Sequence, residues 1–412
     1  MSVYVIRTGR PEFLAGTQEE AAFKSLESTS IKMHLRFSFS MCLLLVASGM
    51  LAAGPERPLL EQGVVAPVTA GQVWNCLPNI ARLGNGDLLA VWSVSDKVWS
   101  LKLQIMASRS TDGGRTWSAG TYLAGQPKNT NCDASLLVDG DRAMLFWSLV
   151  RNPNRIEKLE TWKMVSADFG HTWSKPEQVP MPRKYAGTQS RTSLTLRDGR
   201  LVLPYAWDIW IEQGMVPKTE GEMNLKASLL TSSDHGETWH SGGDVYVEAP
   251  KTTPFSTSGA CEPGIVELAD GSLYMLVRTG TSHAWESRSR DGGKTWTEAR
   301  PSPLKAHNTN VALRRLQGTA DVVAVWNNSP RNRWPLVVAL SRDGCQTWSQ
   351  PHELAGQPGL EASYASLTQL DDGTVVVVWQ QDLPKNQTRE IRFARFNRAW
   401  IAERDEGRGA RD

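Results

Sequence analysis

Short apolar runs recur along the chain, each opened by a tight polar turn. Asn85-Gly86-Asp87 leads into Leu88-Leu89-Ala90-Val91-Trp92, and further runs open at Asp139-Gly140, Asp198-Gly199, Asp270-Gly271, Gln317-Gly318 and Asp372-Gly373. The last of these leads into Thr374-Val375-Val376-Val377-Val378-Trp379. β-Branched and aromatic residues in a short run behind a glycine turn predict a strand, and a second strand precedes each turn. The turn therefore links the first two strands of an antiparallel unit that recurs six times.

A second pattern interleaves with the first. Ser110-Thr111-Asp112-Gly113-Gly114-Arg115-Thr116-Trp117 returns at Ser166 to Trp173, Ser232 to Trp239, Ser289 to Trp296 and Ser341 to Trp348, so its Asp falls at 112, 168, 234, 291 and 343, in steps of 56, 66, 57 and 52. Asp and Ser fold back onto nearby backbone N–H groups, and Gly takes the left-handed conformation. Thr-Trp is expected to restart a strand with its indole in the core. Cys345 stands where the other copies have their second glycine, which predicts a slightly distorted turn.

Sheets of this length, repeated in this number, predict an all-β chain folded as a six-bladed β-propeller of four-stranded antiparallel sheets over residues 54–400, with no second domain. Five Asp-type turns serve six sheets, and the final strand, Glu390 to Phe396, lacks one. Pairing of that C-terminal sheet with an N-terminal strand around Val64-Val65-Ala66 would close the ring and remove its exposed edges.

Outside the repeats, Met33-His34-Leu35-Arg36 precedes an apolar run that ends in small residues, which makes 33–53 a signal peptide and 1–32 an over-extended start. The protein is expected to be secreted or periplasmic, monomeric, and without stable membrane insertion after cleavage. Residues 401–412 read as a charged tail. A net charge of +2 with scattered basic residues gives no positive face for nucleic acid. Beyond the leader, Cys76, Cys132, Cys261 and Cys345 show no zinc-type spacing; one disulfide is permitted but not required.

In a propeller the inner strands begin around the axis, so site residues should lie just upstream of each glycine turn. These positions hold Asn75-Cys76-Leu77-Pro78, Asn131-Cys132-Asp133, Ser190-Arg191-Thr192, Cys261-Glu262-Pro263, Thr309-Asn310 and Ser363-Tyr364-Ala365. Glu262 and Tyr364 share a register, nine residues before Gly271 and Gly373. A phenol ionises near pH ~10 and needs a neighbouring carboxylate to take its proton before it attacks.

On these residues the sequence resembles the exo-sialidases (neuraminidases), in particular their bacterial branch with BNR or Asp-box repeats, most strongly from Cys261 to Trp348. The resemblance implies a retaining glycosidase that removes terminal sialic acid from glycans without metal or organic cofactor. It makes Tyr364 the nucleophile, Glu262 its partner, and Arg278 and Arg333 ligands of the substrate carboxylate, with Arg331 a near alternative to Arg333. Arginine forks suit that carboxylate because they hold it bidentately. Asp96 matches the family's acid/base; Asp133, at the axial end of its blade, is the alternative and a further substrate contact. One departure stands out. Cys76-Leu77-Pro78 occupies the place of the family's first carboxylate-binding Arg, and Arg191 is the residue that could compensate. The change leaves room for another acidic sugar, such as a uronic acid cleaved by hydrolysis or elimination with His283 or His307 as base, or for a propeller that binds carbohydrate without turnover.

Overall fold

The computed structural model describes residues 56–98, 100, 102–151, 159–184, 186–187, 192–217, 220–252, 256–384 and 387–406. The signal peptide at 33–53, the segment 1–32 and Arg191 lie outside the described residues. Three sheets are four-stranded antiparallel meanders. The first comprises Thr130–Asp139, Arg142–Val150, Leu159–Ser166 and Glu177–Val179; the second, Cys261–Glu267, Leu273–Arg278, His283–Ser289 and Arg300–Lys305; the third, Ala312–Arg315, Val322–Asn327, Leu336–Ser341 and His352–Ala355. A six-stranded sheet is built around Leu201–Asp208 and Asn224–Ser232. An eight-stranded sheet joins the meander from Trp74–Arg82 to Thr121–Ala124 with the one from Ala362–Gln369 to Arg389–Phe396, through a single parallel bridge between Trp74 and Arg389.

Buried apolar clusters connect these units in a cycle. Leu89 and Trp92 belong to the first meander: Leu89 packs with Leu136 and Trp147 of the next, while Trp92 packs with Val376 and Val378 of the last. The result is an all-β propeller. Its second strands are covered on both faces, so they carry unbroken apolar runs instead of alternating ones. Val375, Val376, Val377 and Val378 are all fully buried, as are Trp92, Trp147, Trp326 and Trp379. The strand Leu60–Ala66 pairs antiparallel with Arg389–Phe396, from Leu60 opposite Phe396 to Ala66 opposite Ile391, which is the closure the sequence suggested. A helix, Arg398–Glu406, follows the last strand, with Ile401 buried and Trp400 against His352 and Phe396, and residues 407–412 of the charged tail lie outside the described residues.

Each Asp-type turn is a small hydrogen-bonded knot. In the first copy Gly114 N donates to Ser110 Oγ at 2.8 Å, Thr116 N to Asp112 Oδ1 at 2.9 Å and Thr116 Oγ1 to Asp112 Oδ2 at 2.6 Å. Burial would raise the Asp112 carboxyl, but these donors bring it down to about 2. Two expectations need correction. Trp117 does not restart a strand; it lies in the connection before Thr121–Ala124, its indole packing on Phe393 across the sheet interface at 6.2 Å between centroids. The fifth turn is not distorted either: Cys345 adopts φ 65° and its N donates to Ser341 Oγ at 2.8 Å, the same bond the glycines make. Its side chain is buried in the core, and burial pushes the thiol up to about 12. Cys76, Cys132, Cys261 and Cys345 are present as thiols and not in disulfides.

Candidate active site

The axial residues are presented by a repeated bulge. Between Cys261 and Gly264 the inner strand spends one more residue than its partner, and the same irregularity lies between Cys76 and Asn79, Cys132 and Ser135, and Ser363 and Ser366. The extra residue takes a left-handed conformation: Leu77 (φ 55°), Asp133 (φ 55°), Glu262 (φ 43°) and Tyr364 (φ 55°). Such a bulge re-aims one side chain while the rest of the strand keeps its pairing. Holding four non-glycine residues there costs backbone energy that the surrounding sheet must offset, a pattern typical of functional positions.

Arg278, directly opposite Cys261 on the next strand, ties two of these residues together. Its Nη1 donates to Glu262 Oε1 at 2.5 Å and to Tyr364 Oη at 3.2 Å, while Nε donates to Asn308 Oδ1 at 2.8 Å. Glu262 and Arg278 are both buried, and Glu262 Oε2 has no hydrogen-bond partner among the described residues. Arg333 lies over the Tyr364 ring, 5.0 Å from its centroid, and donates to Asn308 O at 2.9 Å and Glu361 Oε1 at 3.1 Å. Glu361 also accepts from Gln380 Nε2 at 2.8 Å, from Arg389 Nη2 at 3.3 Å and from Ser363 Oγ. Arg389 in turn pairs with Asp382 at 2.7 Å and stacks on Trp74.

The cluster thus holds three guanidinium groups and three carboxylates, Arg278, Arg333 and Arg389 against Glu262, Glu361 and Asp382. Burial alone would raise the Glu361 carboxyl; Arg333 and Arg389 with the Ser363 hydroxyl hold it at about 2. Desolvation lifts the Tyr364 phenol above its ordinary value, against the pull of Arg333. Burial opposes the charge on Arg333, yet Tyr364 and Glu361 raise its pKa. His307 is pushed below its ordinary value by burial and by Arg333 and Arg278.

A model of the BNR repeat-like domain matches residues 86–377. The chain belongs to the BNR repeat-like family. It is 27% identical over 351 residues to a sialidase of Bacteroides fragilis (strain YCH46), covering 74% of this chain and 60% of that protein, and 28% identical over 396 residues to a sialidase of Micromonospora viridifaciens, covering 86% and 56%. The chain therefore spans little more than half the length of these curated relatives. Among solved structures, the Hadza microbial sialidase Hz136 superposes with a TM-score of 0.63 at 21% identity, covering 81% of this chain and 67% of that one, which bears on the fold.

In this BNR-repeat chain the structure gathers Glu262, Tyr364, Arg278 and Arg333 into one centre. Asp96 lies on an exposed loop that follows Leu88–Ser95, at the same end of the sheet as Trp74, and accepts from Ser95 Oγ at 3.5 Å. Asp133 is half-buried on its bulge and accepts from Cys132 Sγ at 3.2 Å. Arg331 is exposed, so Arg333 is the arginine of that pair at the cluster. Cys76 is buried among Trp74, Leu103 and Leu77, so the first-arginine position is filled by apolar packing, and Leu77 N donates to Gln380 Oε1 at 2.9 Å. His283 contacts Ser282 Oγ at 3.0 Å, on the strand that pairs with Lys305. The sequence reading missed Asn308, Glu361 and Arg389. Asn308 adjoins the Thr309-Asn310 pair already chosen, and Glu361 lies three residues before Tyr364; Arg389 carried no local signal.

Proposed function

We propose that the protein is an exported, six-bladed glycoside hydrolase of the sialidase type, a retaining exo-enzyme that removes terminal sialic acid from glycoconjugates. The blade count divides the eight-stranded sheet at its single bridge and is supported by the six strand regions that line one axial cavity. In this mechanism Tyr364 Oη attacks the anomeric carbon as its proton passes to Glu262, whose Oε2 is otherwise without a hydrogen bond. The bond to the aglycone breaks, and Asp96 gives the leaving oxygen its proton. Asp96 then takes a proton from the water that hydrolyses the glycosyl-tyrosine bond, and Glu262 returns the phenolic proton. Arg278 and Arg333 orient the substrate carboxylate.

The observation that carries this reading is the single Arg278 Nη1 shared by Glu262 and Tyr364. Release of the fluorophore from a fluorogenic sialoside tests it: activity is expected in the natural protein and lost in Tyr364→Phe, and full activity in that variant removes the nucleophile assignment. A second reading is favoured by Glu361, which already neutralises Arg333, and by the apolar environment of Cys76. On that reading the same centre acts on a sugar other than sialic acid, or binds carbohydrate without cleaving it. A screen of sialosides, uronides and neutral glycosides, reading both binding and product, separates the three.

A further inference from the structure

The inner strands end around a second polar space on the same axis. A cavity of about 390 Å³ is lined by Asn79, Arg82, Glu267, Arg314, Arg315 and Gln369, together with apolar neighbours, all from inner strands. Most of its polar groups are committed to the protein. Arg82 pairs with Asp371, Arg315 donates to Glu267 O at 3.1 Å and Thr319 O at 3.2 Å, and Glu267 pairs with Arg197 at 3.2 Å. Asn79 bonds Ser366 Oγ and Leu136 N, and Gln369 bonds Gly373 O and Gln317 N.

Arg314 is different. Its Nε is buried without a hydrogen-bond partner, and among the described residues no carboxylate or carbonyl receives its guanidinium. Burial and the repulsion of another cation, Arg82, bring its pKa down to about 10. Arg314 is half-buried, with its Nε out of reach of solvent; a buried polar atom left unsatisfied in a native protein points to an ion or water that completes it. Water would solvate Arg314 without supplying a counter-charge, since Arg82 is paired with Asp371 and Glu267 with Arg197.

We propose that the axial cavity around Arg314 is a binding site for a small tetrahedral oxyanion of the phosphate or sulfate class. The planar fork of a guanidinium presents parallel N–H donors that match two oxygens of such an ion, and the cavity has room for it with its remaining water. This site is independent of the hydrolase reading, since none of its residues belongs to the Tyr364 cluster.

The test uses the full chain, exchanged into phosphate-free and sulfate-free buffer. Inorganic phosphate is expected to bind saturably at one equivalent by equilibrium dialysis and to raise Tm, whereas sodium chloride at matched ionic strength is not. Both effects should vanish in Arg314→Met. In Arg314→Lys, which keeps the charge without the fork and covers the case of a poorly folding methionine variant, binding should be about tenfold weaker. Absence of saturable binding, an equal rise of Tm in chloride, or unchanged binding in Arg314→Met each overturns the proposal.

Discussion

At the end of the axis where the inner strands begin, three arginines and three carboxylates answer one another within hydrogen-bond distance; where the same strands finish, Arg314 lines a cavity without an ion-pair partner among the described residues. The two ends share their strands, yet their charge economy is opposite. A cluster that is balanced before any substrate arrives must trade an existing ion pair for a new one. An unbalanced arginine has nothing to give up. Preorganised charge favours catalysis, and unpaired charge favours capture.

The largest effect that sharpens this contrast is catalytic. Tyr364→Phe is expected to reduce sialoside turnover by at least about 10³-fold, a loss of the size associated with removing a nucleophile, while Arg314→Met stays within about twofold. Initial-rate measurements on both variants decide it. Next in size is stability. Glu262→Gln strands the buried Arg278 without its counter-charge and should cost about 3–5 kcal/mol in denaturant unfolding, whereas Arg314→Met should be neutral or stabilising in anion-free buffer. Equal losses at the two ends would remove the contrast.

A smaller effect concerns affinity. Glu361→Gln frees Arg333 from its internal carboxylate, and the expected outcome is a KM for a carboxylate-bearing substrate lowered at least about tenfold with little change in kcat, since a hydrogen bond to a charged group contributes about 1.5–3 kcal/mol. An unchanged or higher KM would show that Glu361 does not compete. The smallest effect is acid sensitivity. Glu361 is held at about 2, below the ordinary glutamate value of 4.5, so its contribution to stability is complete above about pH 4.5 and is lost as pH falls toward 2. The Tm of the natural protein should therefore fall more steeply across that window than that of Glu361→Gln.

The repeats were legible because their chemistry is local. Ser, Asp, Gly and Thr of each knot bond within four residues of one another, as Asp112 does with Thr116, so spacing alone reported them. Glu262 and Tyr364 were legible through their shared register, which the bulge translates into a shared direction. Glu361 and Arg389 were not, because the ion pairs that Glu361 makes with Arg333 and Arg389 each span 28 residues and no local pattern announces an ion pair between strands. Cys345 misled for a related reason: its conformation is set by the Ser341 bond and by the core that receives its side chain, and the sequence shows neither.

The seam between Leu60–Ala66 and Arg389–Phe396 makes the two ends of the ring neighbours. Its ladder joins residues separated by almost the whole propeller, so the contact order of this seam is far above that of any meander, and its loop-closure entropy must be overcome before the last hydrogen bonds form. A circular permutant that covalently joins the strand ends and opens the chain at an Asp-type turn would exchange that late, long-range step for a short one. The same ring would then assemble from a different starting strand, at a rate set by connectivity and not by the final contacts.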